Sequence, residues 1–253
     1  MTTLLRAVRL EFRKMRRLRT GLILGLLVVA VAALSSASLF SGGTRESFDD
    51  PAAMPWAALL LTYTMMAAMT SPILAAVLAS RQADIEHSGV GWTLASTAGY
   101  SPGLLCRAKL AALSLILLPA LIVQTLLVLG AGAFAGIQVP FEPGPWIGYT
   151  ALLFLLDVAF LALHIWLASI VENQLISVGV GMLGAFLAVF SLLIPGPISR
   201  ILPWGYYAVI SHAGQDSDGV TYITPPYAWI ACLLVLVGVV FALVTRRLDR
   251  IER

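Results

Sequence analysis

Charged residues are scarce in this sequence. Asp, Glu, Lys and Arg make up 11% of its 253 residues, while 59% of the residues are hydrophobic. A soluble domain carries about 25% charged residues, because they cover its surface. The scarcity excludes a surface that faces water over most of the molecule, and lipid is the medium that such a surface fits. Six spans of about 20 residues with their connections would use up the length, which leaves no room for a separate soluble domain.

Lysine and cysteine are rarer still. The only lysines are Lys14 and Lys109, and neither follows a glycine-rich turn. A G-x-x-x-x-G-K-[ST] loop needs its lysine to reach the β- and γ-phosphates of a nucleotide, so the chain has no ATPase site of this type. Cys106 and Cys232 form no C-x-x-C pair, and we interpret both as small apolar residues. We therefore expect no catalytic residue, no metal site and no cofactor in this chain.

Long apolar runs are what the sequence has in abundance. Six of them predict transmembrane helices, at residues 20–40, 55–79, 109–137, 147–170, 175–194 and 227–245. The fold class expected is an all-α membrane protein, with a six-span domain over residues 20–245 and a basic tail at 246–253. Residues 21–34 after a basic start also resemble a signal-peptide core. The apolar run continues to Phe40, however, which favours an uncleaved anchor helix.

Residues 1–19, before the first span, alternate basic and apolar side chains at helical spacing. One stripe contains Leu5, Val8, Phe12 and Met15, and the opposite face contains Arg6, Arg9, Arg13 and Arg17. This pattern predicts an amphipathic helix that lies in the membrane interface, with its apolar face toward lipid and its basic face toward anionic headgroups. The alternative interpretation is a short solvated extension of the first span.

The distribution of basic residues predicts the orientation of the chain. Seven Lys and Arg residues precede the first span, three lie in or beside the polar loop 80–108, and four lie in the C-terminal tail. With six spans these all fall on one side, and only Arg45 and Arg200 fall on the other. We expect a multi-pass protein of the bacterial inner membrane with both termini and loop 80–108 in the cytoplasm. Residues 41–54 and the Pro-rich aromatic segment 195–226 would then lie outside.

Two ionisable residues, Asp157 and His164, fall inside the predicted span 147–170. Their separation of seven places them on one helix face but about 10 Å apart along the axis, too far for a direct hydrogen bond. An intramembrane carboxylate is a functional hypothesis by default, and a proton relay here would need a bridging water or a residue of another helix. We favour a structural interpretation, in which Asp157 is protonated or bonded to a neighbouring helix and His164 lies near the cytoplasmic headgroups.

Three segments resemble parts of one known family. Residues 11–19, which begin at Glu11 and continue with basic residues, are similar to an acidic-then-basic connecting helix. Residues 84–94, with acidic residues, glycines and Trp92, are followed by Arg107 and Lys109 in the manner of a coupling loop. The segment 203–207 resembles an outer Pro-Trp aromatic segment. In this order and spacing the chain resembles the ABC-2 type permeases, most closely those of lantibiotic-immunity and bacitracin-resistance exporters.

The resemblance implies a permease subunit of an ATP-binding-cassette exporter. It implies export of an amphiphilic compound, such as an antimicrobial peptide, a drug or a lipid-like molecule, with ATP and magnesium bound to a separate dimeric cytoplasmic P-loop ATPase. A second permease copy or a related permease and membrane lipid would be the other partners, and nucleic acid would not be one. The residues expected to couple to the ATPase are Asp84, Glu86, Trp92 and Leu94, and those expected on the interfacial helix are Arg9, Glu11, Arg13, Lys14 and Arg17.

The coupling segment itself is expected to be a short helix over residues 84–98. Glu86 would lie near its start, where an acidic side chain complements the helix dipole. Trp92 would be buried in the partner, since tryptophan is frequent at the energetic centre of interfaces. The alternatives are that Trp92 anchors the chain among lipid headgroups and that the segment is an ordinary solvated loop.

Two other functions remain open at the level of sequence. The first is a proton-coupled secondary transporter or channel that uses Asp157 and His164. The second is a membrane scaffold or sensor that anchors other proteins.

Overall fold

The computed structural model describes residues 3–41, 47–88, 91–217 and 219–251. Parts of the sequence argument lie outside these residues, namely Arg45, residues 89–90 of the segment 84–94 and the final Arg253 of the tail. The helices are α1 (Thr3–Arg17), α2 (Thr20–Ser36), α3 (Pro55–Ser88), α4 (Gly91–Thr97), α5 (Pro102–Ala135), α6 (Pro143–Ile170), α7 (Gln174–Phe190), α8 (Gly196–Ser199), α9 (Tyr206–Val209) and α10 (Tyr227–Ile251). Short 3-10 turns occupy Ala37–Phe40, Pro51–Ala53 and Pro203–Gly205.

A small β-hairpin interrupts the helical chain, so the expectation of a purely helical protein is wrong at this point. Strand β1 (Ala213–Asp216) pairs antiparallel with β2 (Gly219–Tyr222). The turn carries Asp and Gly residues, which favour tight hairpin turns, and Gly219 takes a φ of 126° that only glycine adopts without strain.

Five helical segments in the described part of the chain are long and apolar enough to cross a membrane. They are Thr20–Phe40, Pro51–Ser88, Pro102–Ala135, Pro143–Ile170 and Tyr227–Arg250. Helix α7, in the place of the fifth predicted span, is apolar but has only 17 residues. At 1.5 Å per residue it is about 25 Å long, against about 30 Å for the hydrocarbon core.

Helix α1 ends earlier than expected and faces the protein more than expected. It stops at Arg17, and Arg19 adopts a left-handed conformation with a φ of 53°, which lets α2 start in a new direction. Of the apolar stripe expected to face lipid, Met15 is buried and Val8 and Phe12 pack against the core. The correction has a physical reason: a polar residue of the same face, Glu11, has partners inside the bundle that it would lack in lipid.

Helix α3 is the central element, in contact with α2, α5, α6 and α7. Its 34 residues extend about 50 Å, well beyond the thickness of a hydrocarbon core. The predicted loop 80–108 is therefore wrong as a loop: residues 80–88 continue α3, residues 102–108 begin α5, and α4 lies between them. Residues 80–88 remain helical because side chains such as Gln82 and Glu86 have hydrogen-bond partners on other helices.

The bundle has two ends of different chemistry. At the end that we call the charged end, α1, the last turns of α3, the start of α5 and the last turns of α10 meet. At the opposite, aromatic end, the Trp56 indole donates to the carbonyl of Val139 and stacks edge-on against Trp146. His87 at the charged end lies 2.8 Å from the carbonyl oxygen of Ala168, near the end of α6, and the Ser199 hydroxyl donates to the carbonyl oxygen of Ser191, just after α7.

Candidate functional site

The Lys109 side chain occupies the middle of the charged end and is fully buried. Its ammonium donates to Glu11 Oε2 at 2.9 Å, to Glu86 Oε1 at 2.7 Å and to the Gln82 carbonyl at 3.0 Å. An ammonium has three N–H donors, so all of them are used. One side chain of α5 thereby joins α1 and α3.

A second lysine completes the arrangement from the edge. Lys14 lies 2.8 Å from Glu11 Oε1 and 2.5 Å from Glu86 Oε1, and Gln82 Nε2 donates to Glu11 Oε2 at 2.6 Å. We call the five residues Glu11, Lys14, Gln82, Glu86 and Lys109 the ion-pair cluster. Both lysines of the chain belong to it.

Helix periodicity and small neighbours explain how the cluster is positioned. Glu11 and Lys14 are three residues apart on α1, and Gln82 and Glu86 are four apart on α3, so each pair shares one helix face. The alanines beside them are almost completely buried and let the three helices approach closely, namely Ala7, Ala83, Ala108 and Ala112. Without this close approach the short acidic side chains would not reach Lys109.

The charges of the cluster balance. The two carboxylates face two ammonium groups, so burial leaves no uncompensated charge. Burial by itself lowers the pKa of Lys14, but the carboxylates of Glu11 and Glu86 outweigh burial and raise that pKa above its ordinary value. Removal of one partner from a buried pair typically costs about 3–5 kcal/mol, because the other charge stays buried. The cluster therefore holds α1, α3 and α5 in one arrangement.

A second contact ties α5 to α10 at the same end. Arg107 pairs with Asp249 at 2.8 Å, and Ser101 also donates to Asp249. Gly103 makes the contact feasible, since a Cβ there would overlap the backbone oxygen of Thr245.

Residues 99–103 (Gly-Tyr-Ser-Pro-Gly) have the G-x-S-x-G spacing of a hydrolase nucleophile. Such a serine lies between a strand and a helix and is activated by histidine. Here a short helix, α4, precedes Ser101, and the Ser101 hydroxyl caps α5 by accepting from Leu104 N while it donates to Asp249. Ser101 thus has the surroundings of a helix cap.

The residues expected to couple to an ATPase are divided between two helices. Asp84 and Glu86 lie in the last turns of α3, so the expectation that Glu86 starts a helix over 84–98 is wrong. Trp92 is half-buried on α4, with its ring centroid 5.8 Å from that of His87, whereas Leu94 is 64% exposed. Leu94 is consequently the more accessible of the two apolar residues expected to couple to the ATPase.

The basic residues expected on the interfacial helix behave differently from Glu11 and Lys14. Arg9, Arg13 and Arg17 are exposed and form no ion pair with any residue that the structure describes. Arg9 and Arg13, with Arg6 and Tyr100, line a groove of about 290 Å³.

Asp157 and His164 are buried but have separate partners. Asp157 accepts from the Tyr207 hydroxyl at 2.7 Å and from Ser71 at 3.3 Å. His164 Nδ1 lies 3.1 Å from the Ser177 hydroxyl, and His164 is fully buried rather than near a surface. No described side chain joins the two residues, and the two hydrogen bonds of Asp157 connect α6 with α3 and α9.

Sequence reasoning missed three of the partners described above. Gln82 was not singled out, Tyr207 was named only as part of an aromatic segment, and Asp249 only as part of the tail. A usable signal existed for Gln82, a polar side chain between Ser80 and Asp84 beside long apolar runs, since a polar side chain that is buried needs a hydrogen-bond partner. No local pattern signals the contact between Tyr207 and Asp157, which are 50 residues apart.

Comparison with known proteins gives one match. A family model described as "ABC-2 family transporter protein" matches residues 7–188, more than two thirds of the chain. That region contains the whole ion-pair cluster, α4 and both Asp157 and His164. The search of curated proteins finds no match.

Proposed function

This chain belongs to the ABC-2 transporter family and is a membrane permease of an ABC transporter, and we propose that it is one half of an exporter driven by a separate cytoplasmic ATPase. Two permeases, identical or related, would enclose the path of the substrate. The ATPase dimer would bind ATP and magnesium and act on the charged end of each permease.

The proposed topology has six crossings with the charged end in the cytoplasm. Its support is the order of the apolar helices: α2, α3, α5, α6, α7 and α10 would run alternately between the two ends. The short α7 counts as one of these crossings. The excess of basic residues at the charged end agrees with the positive-inside rule. In this topology α1 lies along the cytoplasmic interface, with its exposed arginines toward headgroups.

The observation that carries the proposal is the set of three hydrogen bonds made by Lys109. Because these bonds lock α1 and the end of α3 to α5, a force applied to α4 or to the last turns of α3 moves three helices together instead of bending one. Helix α4 is short, lies directly beside the cluster and presents Leu94 to solvent. We propose that α4 docks in a groove of the ATPase and that the cluster transmits its movement into the bundle.

The proposed cargo is an amphiphilic compound, in line with the resemblance to lantibiotic-immunity and bacitracin-resistance permeases. An apolar bundle surface favours entry of such a molecule from the membrane. A groove of about 240 Å³ lies between α6 and α10 and is lined by apolar residues such as Phe160, Trp166 and Phe241. Such a lining suits the hydrocarbon chain of an amphiphile.

The experiment is co-purification of the permease with a candidate P-loop ATPase, chosen as one whose gene lies beside that of the permease. Leu94→Ala should weaken the association about tenfold, since full burial of a leucine side chain contributes about 1.5–3 kcal/mol, and export should fall with it. Thr93→Ala, on the same exposed helix, is the matched control and should behave as wild type. Leu94 is a cleaner probe than Trp92, because Trp92→Ala also removes a contact with His87 of the same chain. Wild-type recovery of the ATPase with Leu94→Ala would refute the docking role of α4.

A further inference from the structure

A large cavity lies at the aromatic end, apart from the ion-pair cluster. Its volume is about 690 Å³, and it is bounded by one face of α3, the segment after α7 and the hairpin. Hydroxyl and amide side chains such as Thr62, Ser211 and Gln215 line one part of it, and apolar side chains such as Leu61, Met65 and Ile223 line another. A cavity with both kinds of wall suits a molecule that has a polar and an apolar part.

Arg200 gives this cavity its charge. It is the only Lys or Arg between Lys109 and Arg246 in the sequence, and it lines the cavity together with no Asp or Glu among the described residues. It is half-buried, and its Nε is buried without a hydrogen-bond partner in the described chain. No described carboxylate forms an ion pair with it. Burial of a cation without a paired anion costs free energy, and the described residues do not compensate this cost for Arg200. An anionic ligand at the guanidinium would compensate it.

The surroundings of Arg200 place the cavity beside lipid. Leu193, Ile198 and Ile201 flank it in sequence and are 78%, 51% and 79% exposed. On the part of a helix bundle that lies in the membrane, exposed apolar side chains of this size pack against acyl chains. A molecule of the bilayer can thus keep its chains against these residues while its headgroup enters the cavity.

We propose that this cavity binds the anionic headgroup of a lipid-like amphiphile, with the Arg200 guanidinium on the phosphate. The proposal rests on the proposed exporter function and narrows its cargo from amphiphiles in general to anionic ones. The planar guanidinium matches a phosphate with two parallel hydrogen bonds. The same charge disfavours cationic peptides, since the described lining offers them no carboxylate.

The test measures binding of short-chain fluorescent phosphatidylglycerol to the full-length permease alone, without ATP or ATPase. Arg200→Gln should weaken binding about tenfold, because a hydrogen bond to a charged group contributes at least that factor. Binding of the zwitterionic phosphatidylcholine analogue, whose choline offsets the phosphate charge, should change less, and Arg200→Lys, which keeps the charge but not the planar fork, should weaken binding less than Arg200→Gln. Arg246→Gln removes an exposed charge at the other end and is the control. Attraction of the probe to the basic face of α1 is common to all variants and cancels in the comparison.

A second variant guards against misfolding of Arg200→Gln. A Cβ at Gly196 would meet nothing nearer than Arg200 Nη2 at 4.0 Å, so Gly196→Leu adds bulk at the cavity without removing charge. It should weaken binding of phosphatidylglycerol while the melting temperature stays unchanged. Three results would overturn the proposal: wild-type affinity in Arg200→Gln, displacement of the probe by inorganic phosphate at a concentration no higher than that of the probe, or tighter binding of a cationic amphiphilic peptide. Failure to co-purify with an ATPase would instead count against the exporter, because the binding assay contains no ATPase.

Discussion

At the scale of single residues, the molecule concentrates its buried charge in few places. Glu11 and Lys109 are both fully buried, a condition that charged side chains reach only when they are paired. The network also specifies geometry, because each N–H of the Lys109 ammonium has a defined acceptor. A cluster of this kind contributes more to the arrangement of helices than to net stability, since desolvation offsets much of the attraction.

Lys109→Met tests whether the buried charges of the ion-pair cluster depend on one another. The change leaves two buried carboxylates with one ammonium, and we expect a loss of about 3–5 kcal/mol in the free energy of unfolding, seen as a lower melting temperature in detergent. The control is Arg9→Met, which removes an exposed, unpaired charge from α1.

A double variant separates charge balance from the loss of a packed side chain. Glu11→Met combined with Lys109→Met removes one charge of each sign and should recover much of the stability, with Glu86 and Lys14 still paired at the edge. If Lys109→Met alone melted like the wild type, the buried cluster would have no structural weight.

Asp157 is the residue for which structural and proton-carrying roles can be told apart. Asp157→Asn should keep both stability and export, since the amide oxygen still accepts from Tyr207 and the amide nitrogen can donate to Ser71. Asp157→Leu, the contrasting variant, leaves the Tyr207 hydroxyl buried and unpaired and should cost about 1–3 kcal/mol. Normal melting of Asp157→Asn together with lost export and an altered pH profile would reverse this assignment.

At the scale of elements, helices differ in how firmly the bundle holds them. Just over half of the apolar window of α3 and of α6 is buried, 56% in each, against 11% for α10. Helix α10 is fixed chiefly along α5 and α6 and at its end through Asp249. The close approach of α5 and α10 depends on the absence of a side chain at Gly103.

Gly103→Leu should break that approach. The new side chain would overlap the Thr245 backbone oxygen and push α10 away from Arg107, and overpacking of this kind costs about 1–3 kcal/mol. Gly130→Leu is matched to it, since it lies in the same helix with open space around its Cβ. Equal melting temperatures for the two variants would show that α5 and α10 are not in close contact.

At the scale of the whole molecule, the prediction concerns the side of the membrane on which each end of the bundle lies. The two ends differ in charge and aromatic content, as expected for opposite faces of a bilayer. The number of crossings depends on α7, because a helix that failed to cross would move everything after it to the other side.

Labelling of single cysteines with an impermeant reagent resolves both points. In a Cys106→Ala, Cys232→Ala background, we expect Gln215→Cys to react in intact cells and Ala98→Cys to react only after permeabilisation; both positions are exposed. Reaction of Ala98→Cys from outside would invert the orientation. Reaction of Gln215→Cys only after permeabilisation, with the same result for Ala98→Cys, would mean that α7 does not cross.

The sequence by itself determined that the protein lies in a membrane and where most of its helices occur, because both follow from local composition. A run of about 20 apolar residues has no stable place in water, so the helices of the bundle were predicted close to where they lie. The helix ends were predicted less well. The polar composition of residues 80–88 predicts a loop, yet these residues are helical because Gln82 and Glu86 have partners on other helices.

Only the tertiary structure decided which charges meet. Glu11 and Lys109 are 98 residues apart, and Glu11 has the same place in a basic helix whether it faces headgroups or the core. The choice depends on whether another helix brings an ammonium within about 3 Å, which no periodicity of α1 encodes. For the same reason the sequence shows Arg200 only as one charge on the expected outer side, and only the fold shows it half-buried in a cavity with no carboxylate among its described lining residues.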